Sequence, residues 1–374
     1  MVRVRRGIEF AVLLLVLAAL GMPAQPRLAG APAGPPTLVA IPVDQAPMLD
    51  GKITEEFWSR APVLIFKTEG AGKWGAQNSS ETTIRVRGVY TKDSIYLLMQ
   101  WNDPTFSVDR QRWAFEDGRW QLEDQTPLER GGSSTFYEDK MAMMWVMSSP
   151  SVVDKGTFYP TYVDEDDSIK YGYRRPVKAM PRGERLDMWH WKLVRSGFTN
   201  PPQIDDQYVD ETLDARTAAN AGRKTDPDDP KKPGGYYDNI KSFTAPDGRT
   251  VRGPRFYIPG KNNVYIITQE MIDRGEAKEI ASYGQLLEFA AGTRLPGVIG
   301  RRFTGSRADI TAGWTWKDRV YTLEIGRKLD TGDPQRDVIF SDLSRPYYFG
   351  VGIFDNNQIG HAVSDVMRMI FRKR

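Results

Sequence analysis

The sequence predicts an all-β protein, an antiparallel β-sandwich with long loop insertions and few helices. Three observations carry that prediction. Short runs of apolar or alternating residues recur along most of the chain. Polar, glycine-containing connections separate them, and only one stretch has helix-forming composition. Many short strands joined by such turns pack as two face-to-face sheets.

The first element lies outside the fold. Arg3, Arg5 and Arg6 form a basic start, residues 8–20 are almost wholly apolar, and small residues with prolines follow at 21–36. That is the order of a secretory signal peptide, with candidate cleavage after Ala24 or Ala33. The apolar run is shorter than the ~20 residues that cross a bilayer. Residues 1–34 are therefore expected to be a signal peptide and short linker, and 35–374 a single domain. The expected destination is the periplasm or the outer face of the cytoplasmic membrane.

In the mature chain, residues 84–87 (IRVR) alternate apolar and charged, as a half-buried strand does. Thr91-Lys92-Asp93 turns into 94–101 (SIYLLMQW), whose continuous apolar character suits a core strand. Residues 140–147 (KMAMMWVM) and 186–193 are further buried strands. Residues 308–316 and 320–327 flank Lys317-Asp318-Arg319, a hairpin connection. Residues 347–354 (YYFGVGIF) form a strand closed by Asp355-Asn356-Asn357, which is turn chemistry. Two stretches break the pattern. Residues 206–250 are polar and rich in Asp, Lys, Gly and Pro, and read as a long loop insertion; 271–289 read as a helix.

Composition narrows the chemistry. The 374 residues include two histidines and no cysteine. Disulfides, thiolate metal sites, iron–sulfur ligation and covalent haem attachment through C-x-x-C-H are excluded. Without Arg3, Arg5, Arg6, Arg27 and Glu9 the formal charge falls from +3 to about zero, which argues against a nucleic-acid partner. The sequence contains no G-x-S-x-G nucleophile elbow, P-loop, G-x-G-x-x-G after a strand or H-E-x-x-H. Hydrolase chemistry has little to stand on.

Residues 180–192 read MPRGERLDMWHWK, and a thioether with an imidazole is the usual axial pair of an electron-transfer haem. On a strand, Trp189 and Trp191 point one way, and Met188, His190 and Lys192 the other. By itself His190 reads as a strand residue hydrogen-bonded to a neighbour. His361 follows a tight turn and Gly360, where a ligand can project from a rigid element. An ordinary loop histidine has the same appearance. Met141, Met143, Met144 and Met147 fill an apolar strand. Met180 differs, because it lies in a largely polar loop; a lone exposed methionine would look the same.

Several segments resemble the haem-binding domain of the ethylbenzene dehydrogenase γ-subunit family, whose relatives include the γ-subunits of dimethylsulfide dehydrogenase, chlorate reductase and selenate reductase. Leu49-Asp50-Gly51-Lys52 with Phe57-Trp58 resembles its opening, and Ile95-Tyr96-Leu97 with Trp101-Asn102-Asp103-Pro104-Thr105 its "lYl…W-D-P-T" segment. Tyr137-Glu138-Asp139-Lys140-Met141-Ala142 resembles "yEDr-A", and residues 187–192 its "D-x-W-H-W-K" strand. Arg195, Asp205-Asp206, Ala221-Gly222-Arg223, Gly234-Gly235-Tyr236-Tyr237, Arg327-Lys328-Leu329, Asp337-Val338-Ile339-Phe340 and residues 349–364 continue it in order.

The resemblance implies a sandwich related to DOMON and family-9 carbohydrate-binding modules that holds one haem. It implies an axial methionine in the loop before the W-H-W strand, matched by Met180. The second ligand matches His361, where several γ-subunits place a lysine. Without C-x-x-C-H the haem is expected to be non-covalent haem b. The implied role is an exported b-type cytochrome with no catalytic site of its own. It would transfer single electrons with a molybdopterin catalytic subunit and an iron–sulfur subunit, or with another redox protein. Trp189, Trp191 and Trp145 would wall the haem pocket or the core, and His190 would support a propionate. Three rival readings stand beside this one: a haem-free carbohydrate- or ligand-binding sandwich, a haem held by His190 and His361, and an enzyme with one open haem face.

Overall fold

The computed structural model describes residues 34–70, 80–123, 137–156, 158, 162–163, 177–212, 222–358 and 360–374. The expected signal segment thus lies outside the described residues. Thirteen strands form one continuous ladder. They are β1 (Thr37–Pro42), β2 (Leu64–Lys67), β3 (Thr83–Tyr90), β4 (Ser94–Asn102), β5 (Lys140–Val146), β6 (Leu186–Lys192) and β7 (Asp205–Val209). The rest are β8 (Arg223–Thr225), β9 (Thr311–Lys317), β10 (Val320–Lys328), β11 (Tyr347–Phe354), β12 (Ala362–Val363) and β13 (Met367–Phe371).

The spatial order is β8-β7-β6-β5-β11-β13-β1-β3-β4-β10-β9, with β2 beside β3 and β12 beside β11. The ladder folds back on itself, so one half faces the other across a shared apolar core. Trp191 of the first half meets Trp101 and Tyr321 of the second edge-on, at 6.0 and 5.5 Å between centroids. Such pairs add about 0.5–1.5 kcal/mol each beyond area burial. The far ends of the ladder also meet, where the Ile204 N–H donates to the Ile310 carbonyl at 3.1 Å. The chain is an all-β sandwich, as its strand pattern predicts.

Each predicted strand is present. The hairpin between β9 and β10 turns on Asp318 and Arg319, both at positive φ (53° and 62°), the mirror-image turn that matches strand twist. One strand departs from the antiparallel expectation: β1 runs parallel to both neighbours, pairing Thr37 with Arg368 and Ala40 with Gly88. It is the seam that joins the two halves, and a strand entering from outside the meander is not bound to hairpin direction.

Residues 206–250 carry short strands within a mostly irregular insertion: β7, β8 and the hairpin Lys241–Thr244/Thr250–Gly253 lie within or across them. Some of their polar residues, Asp206 and Asp226 among them, are buried. A second apolar cluster, including Trp113, Phe243, Phe256 and Ile280, gives part of the insertion its own core. Buried Asn239 ties it together, donating to the Phe256 and Pro296 carbonyls and accepting from the Phe256 N–H. The helix at 271–289 is instead two short ones, Gln269–Asp273 and Tyr283–Leu286, interrupted at Gly275 with φ 74°. Among the described residues no helix is long and apolar enough to cross a membrane.

Candidate functional site

Strand register decides which candidates meet. His190 lies opposite Ala142 of β5, which lies opposite Gly352 of β11. One row along, Met188, Met144 and Gly350 align; on the other side, Lys192, Lys140 and Phe354 do. These residues share the outer face of the sheet, turned away from the core between the halves. The face is small-floored at Ala142, Gly350 and Gly352, and an apolar cluster including Met144, Met180, Phe158 and Phe354 covers it.

Met180 is buried within that cluster, so it is not a lone exposed methionine. Its N–H donates to the Asp210 carbonyl at 2.9 Å, which fixes the loop to the end of β7. His361 is buried just ahead of β12, and its Cδ2 lies 3.5 Å from where a Cβ on Gly352 would stand. Its ring stacks on Phe354, with centroids 4.5 Å apart and planes 22° apart. His190 also stacks on Phe354, at 5.8 Å and 28°. Phe354 thus joins His190 and His361, and Met180 belongs to the same apolar cluster as that ring.

Trp189 is not among them. It is fully buried on the opposite face of β6, 5.2 Å from Trp145 and in contact with the Phe340 side of the core. Alternation along the strand forces this, since His190 and Trp189 are adjacent. Of the two roles read for the tryptophans, Trp189 fills the core one.

His190 is held in a defined orientation. Its Nδ1 lies 3.1 Å from the Gln207 side-chain oxygen, which also accepts from Arg223, while the Gln207 amide donates to Asp205. That pattern makes His190 Nδ1 the donor, and leaves Nε2 a buried lone pair with no hydrogen-bond partner. Burial pushes the His190 pKa well below the usual histidine range, and Lys192 and Arg223 push it further, so the ring is neutral. An imidazole anchored through Nδ1–H with a bare Nε2 is the arrangement metal-bound histidines use.

Beside the histidines lies a buried charged network. Lys192 pairs with Asp205, which also accepts from Arg307 at 2.6 Å; Arg195 pairs with Glu138. Glu138 accepts from the N–H groups of Val194 and Arg195 at 2.6 and 3.1 Å, at the start of the π-helical turn Leu193–Gly197. Lys140 donates to the Gln358 carbonyl and lies 4.2 Å from the Phe354 ring centre. Burial and Arg195 lower its pKa well below the usual lysine range. Lys192 and Arg195 pull Tyr236 down to about 7. Cations outnumber carboxylates here, so the network suits an additional anion.

The residues can be tested against a haem. A thioether, two imidazoles, a flat floor without side chains and an adjoining cationic edge all suit one. Room is the obstacle. The cavity lined by Ala142, Phe158, Gly352, Phe354 and His361 is only ≈ 20 Å³, against roughly 300–1,000 Å³ for ligand pockets in general. Phe158 fills the space above Gly350, where a Cβ would lie 2.2 Å from its Cε2. The donors and floor fit, and Phe158 is the side chain that must give way.

A profile described as ethylbenzene dehydrogenase matches residues 55–365. The chain belongs to the ethylbenzene dehydrogenase family. No curated protein matches it. Among solved structures, a family-9 carbohydrate-binding module from Caldicellulosiruptor kristjanssonii in complex with glucose is similar at 8% identity and TM-score 0.28, over 90% of this chain and 96% of that one. A candidate carbohydrate-binding protein from Bacteroides uniformis is similar at 9% identity and TM-score 0.33, over 91% and 100%.

In this ethylbenzene dehydrogenase family member, sequence reasoning found the two histidines and Met180 but missed their surroundings. Phe158, Phe354, Gln207 and the glycine floor carry no motif. One signal was available: Gly350 and Gly352, two apart on a strand, leave one face bare.

Proposed function

We propose that this chain is an exported b-type cytochrome domain, the haem subunit of a molybdopterin oxidoreductase complex, with no catalytic site of its own. The observation that supports it is one apolar cluster holding Met180 and Phe354, with His361 stacked on that Phe354 ring over Gly352, in a member of the ethylbenzene dehydrogenase family. Met180 would supply a thioether and His361 an imidazole, leaving no open position for substrate. The bound haem supplies a one-electron iron couple, whose potential methionine–histidine ligation raises. Phe354 and Met144 exclude water from that face. The cationic edge of Lys140, Lys192 and Arg223 suits the two propionates. Electrons would pass to or from an iron–sulfur subunit or another redox protein, and substrate chemistry would belong to the molybdopterin partner. The basic and apolar residues at 3–20 support the exported part of this reading.

A second ligand set has its own support. The bare Nε2 of His190, fixed by Gln207, favours a haem held by His190 and His361. We rank it second because the family resemblance aligns Met180 with the axial methionine.

The absorption spectrum of the purified chain supplied with haem tests the proposal. A low-spin b-type spectrum with sharp reduced α and β bands is expected. Absence of a Soret band under every reconstitution condition overturns it.

A further inference from the structure

On the core side of β6, behind the histidine face, three carboxylates from distant parts of the chain converge. Asp187 is on β6, Asp206 on β7 and Asp337 in the segment after β10. One oxygen from each lies within 4.8 Å of the others, and all three side chains are almost completely buried. The span is what a calcium ion sets: oxygens at 2.3–2.6 Å on opposite sides of one ion stand up to about 5 Å apart.

The hydrogen bonds show that the protein itself does not satisfy this cluster. Every donor goes to one oxygen of the pair. Asp187 Oδ2 accepts from the Trp189 indole at 3.1 Å and the Val338 N–H at 2.9 Å, and lies 3.4 Å from Arg327. Asp337 Oδ2 accepts from Thr331 and lies 3.2 Å from Arg327. Asp187 Oδ1, Asp337 Oδ1 and both oxygens of Asp206 are buried without a hydrogen-bond partner. Leaving such atoms bare costs about 1–3 kcal/mol each, and more when they are charged. Native proteins rarely keep four together without an ion or water to serve them.

A second buried triad in the same molecule gives the contrast. Asp103, Asp139 and Asp355 are equally close. There, Asp139 accepts from the Ser107 N–H, the Tyr321 hydroxyl and the Asn356 N–H at 2.8, 2.8 and 3.0 Å, and Asp103 accepts from the Thr105 N–H. Protein donors serve most of that triad, and it asks for no cation. One oxygen there, Asp103 Oδ2, is bare, against four in the Asp206 cluster.

Charge gives the valence. Three carboxylates carry −3 and Arg327, the guanidinium in contact with two of them, carries +1, leaving −2 for one divalent ion. Asp226, whose Oδ1 is also buried and bare, adds further negative charge nearby. The donors are all oxygen, with no imidazole or thiolate, which selects a hard cation over zinc or copper.

We propose that Asp187, Asp206 and Asp337 form a structural Ca²⁺ site that fastens β6, β7 and the segment after β10 behind the histidine face. The site is independent of the haem reading and stands or falls separately.

The test uses the full chain, stripped with chelator and desalted. Tb³⁺ titration should give saturable, tryptophan-sensitised emission, because the Trp189 indole bonds directly to Asp187, and Ca²⁺ should displace it. Thermal unfolding should show a Tm that climbs with Ca²⁺ concentration, as for any ligand bound only by the native state. Asp206→Asn should weaken Ca²⁺ at least roughly tenfold, since even outer-shell changes cost that much. Asp337→Asn gives the same reading if that variant does not fold. Asp103→Asn, in the donor-served triad, should leave Tb³⁺ binding unchanged. A wild-type chain with neither saturable Tb³⁺ emission nor a Ca²⁺-dependent Tm overturns the site. So does loss of binding in Asp103→Asn with retention in Asp206→Asn.

Discussion

The ring of Phe354 stacks on the imidazole of His361, with centroids 4.5 Å and planes 22° apart. The contact ties the last residue of β11 to the residue just ahead of β12, and it sets His361 over Gly352 rather than out in solvent. His190 reaches the same phenyl ring from β6. What happens at this patch when single side chains are removed separates the possible ligand sets.

If Met180 and His361 hold the iron, Met180→Ala should turn a low-spin haem spectrum high-spin or water-ligated, and His361→Ala should do the same. His190→Ala should stay low-spin. The reverse pattern, with haem lost in His190→Ala and an unchanged spectrum in Met180→Ala, would transfer ligation to the two histidines. Visible absorption of the reconstituted variants decides it.

Phe158 occupies the space over Gly350. Phe158→Ala should cost the haem-free chain about 3–5 kcal/mol, as removal of a buried aromatic ring does. The same change should tighten haem uptake, because the ring no longer has to be displaced. Denaturant unfolding and haem titration of one protein read both effects, and weaker uptake would contradict the placement of the haem on this face.

Trp189 belongs to the core, not to the histidine face. Trp189→Phe should lower stability by about 1–3 kcal/mol through lost packing and a lost donor to Asp187. It should leave the haem spectrum unchanged. A shifted spectrum at full stability would return Trp189 to the cofactor.

In chelator, the carboxylate cluster should make stability depend on pH. Burial raises the pKa of both Asp187 and Asp226 from 3.8 to about 7; for Asp187, Arg327 opposes and Asp337 adds, and for Asp226, Asp337 adds. Protonation therefore favours the folded state. This contribution is complete below the ordinary carboxylate pKa and is lost as pH rises through about 7, at up to ~1.4 kcal/mol per pH unit for each group. Asp206, Asp309, Asp333, Asp337, Arg327 and Arg336 complete the charged surroundings. The Tm should fall between about pH 5 and 8, and Asp206→Asn should flatten the fall. A Tm rising over that range would show that the cluster is not proton-stabilised.

The sequence by itself determined the strands and their faces. Alternation in LDMWHWK separates His190 from Trp189 without any knowledge of what covers either side, because a strand's period of two is a property of its own backbone. The absence of cysteine and the presence of two histidines restricted the available ligand types in the same local way. Only the tertiary structure decided what lies on each face. The burial of Met180, the Phe158 ring over Gly350 and the Gln207 bond that orients His190 all depend on strand pairings and packing between separate segments. The strands at the start of the polar run 206–250 depend on the same long-range pairing. Asp205 and Asp206 look like loop residues until Lys192, Arg307, Asp187 and Asp337 are brought to them from elsewhere in the chain. A buried charge is specified by partners that hydropathy along the chain cannot see, and long-range register supplies them.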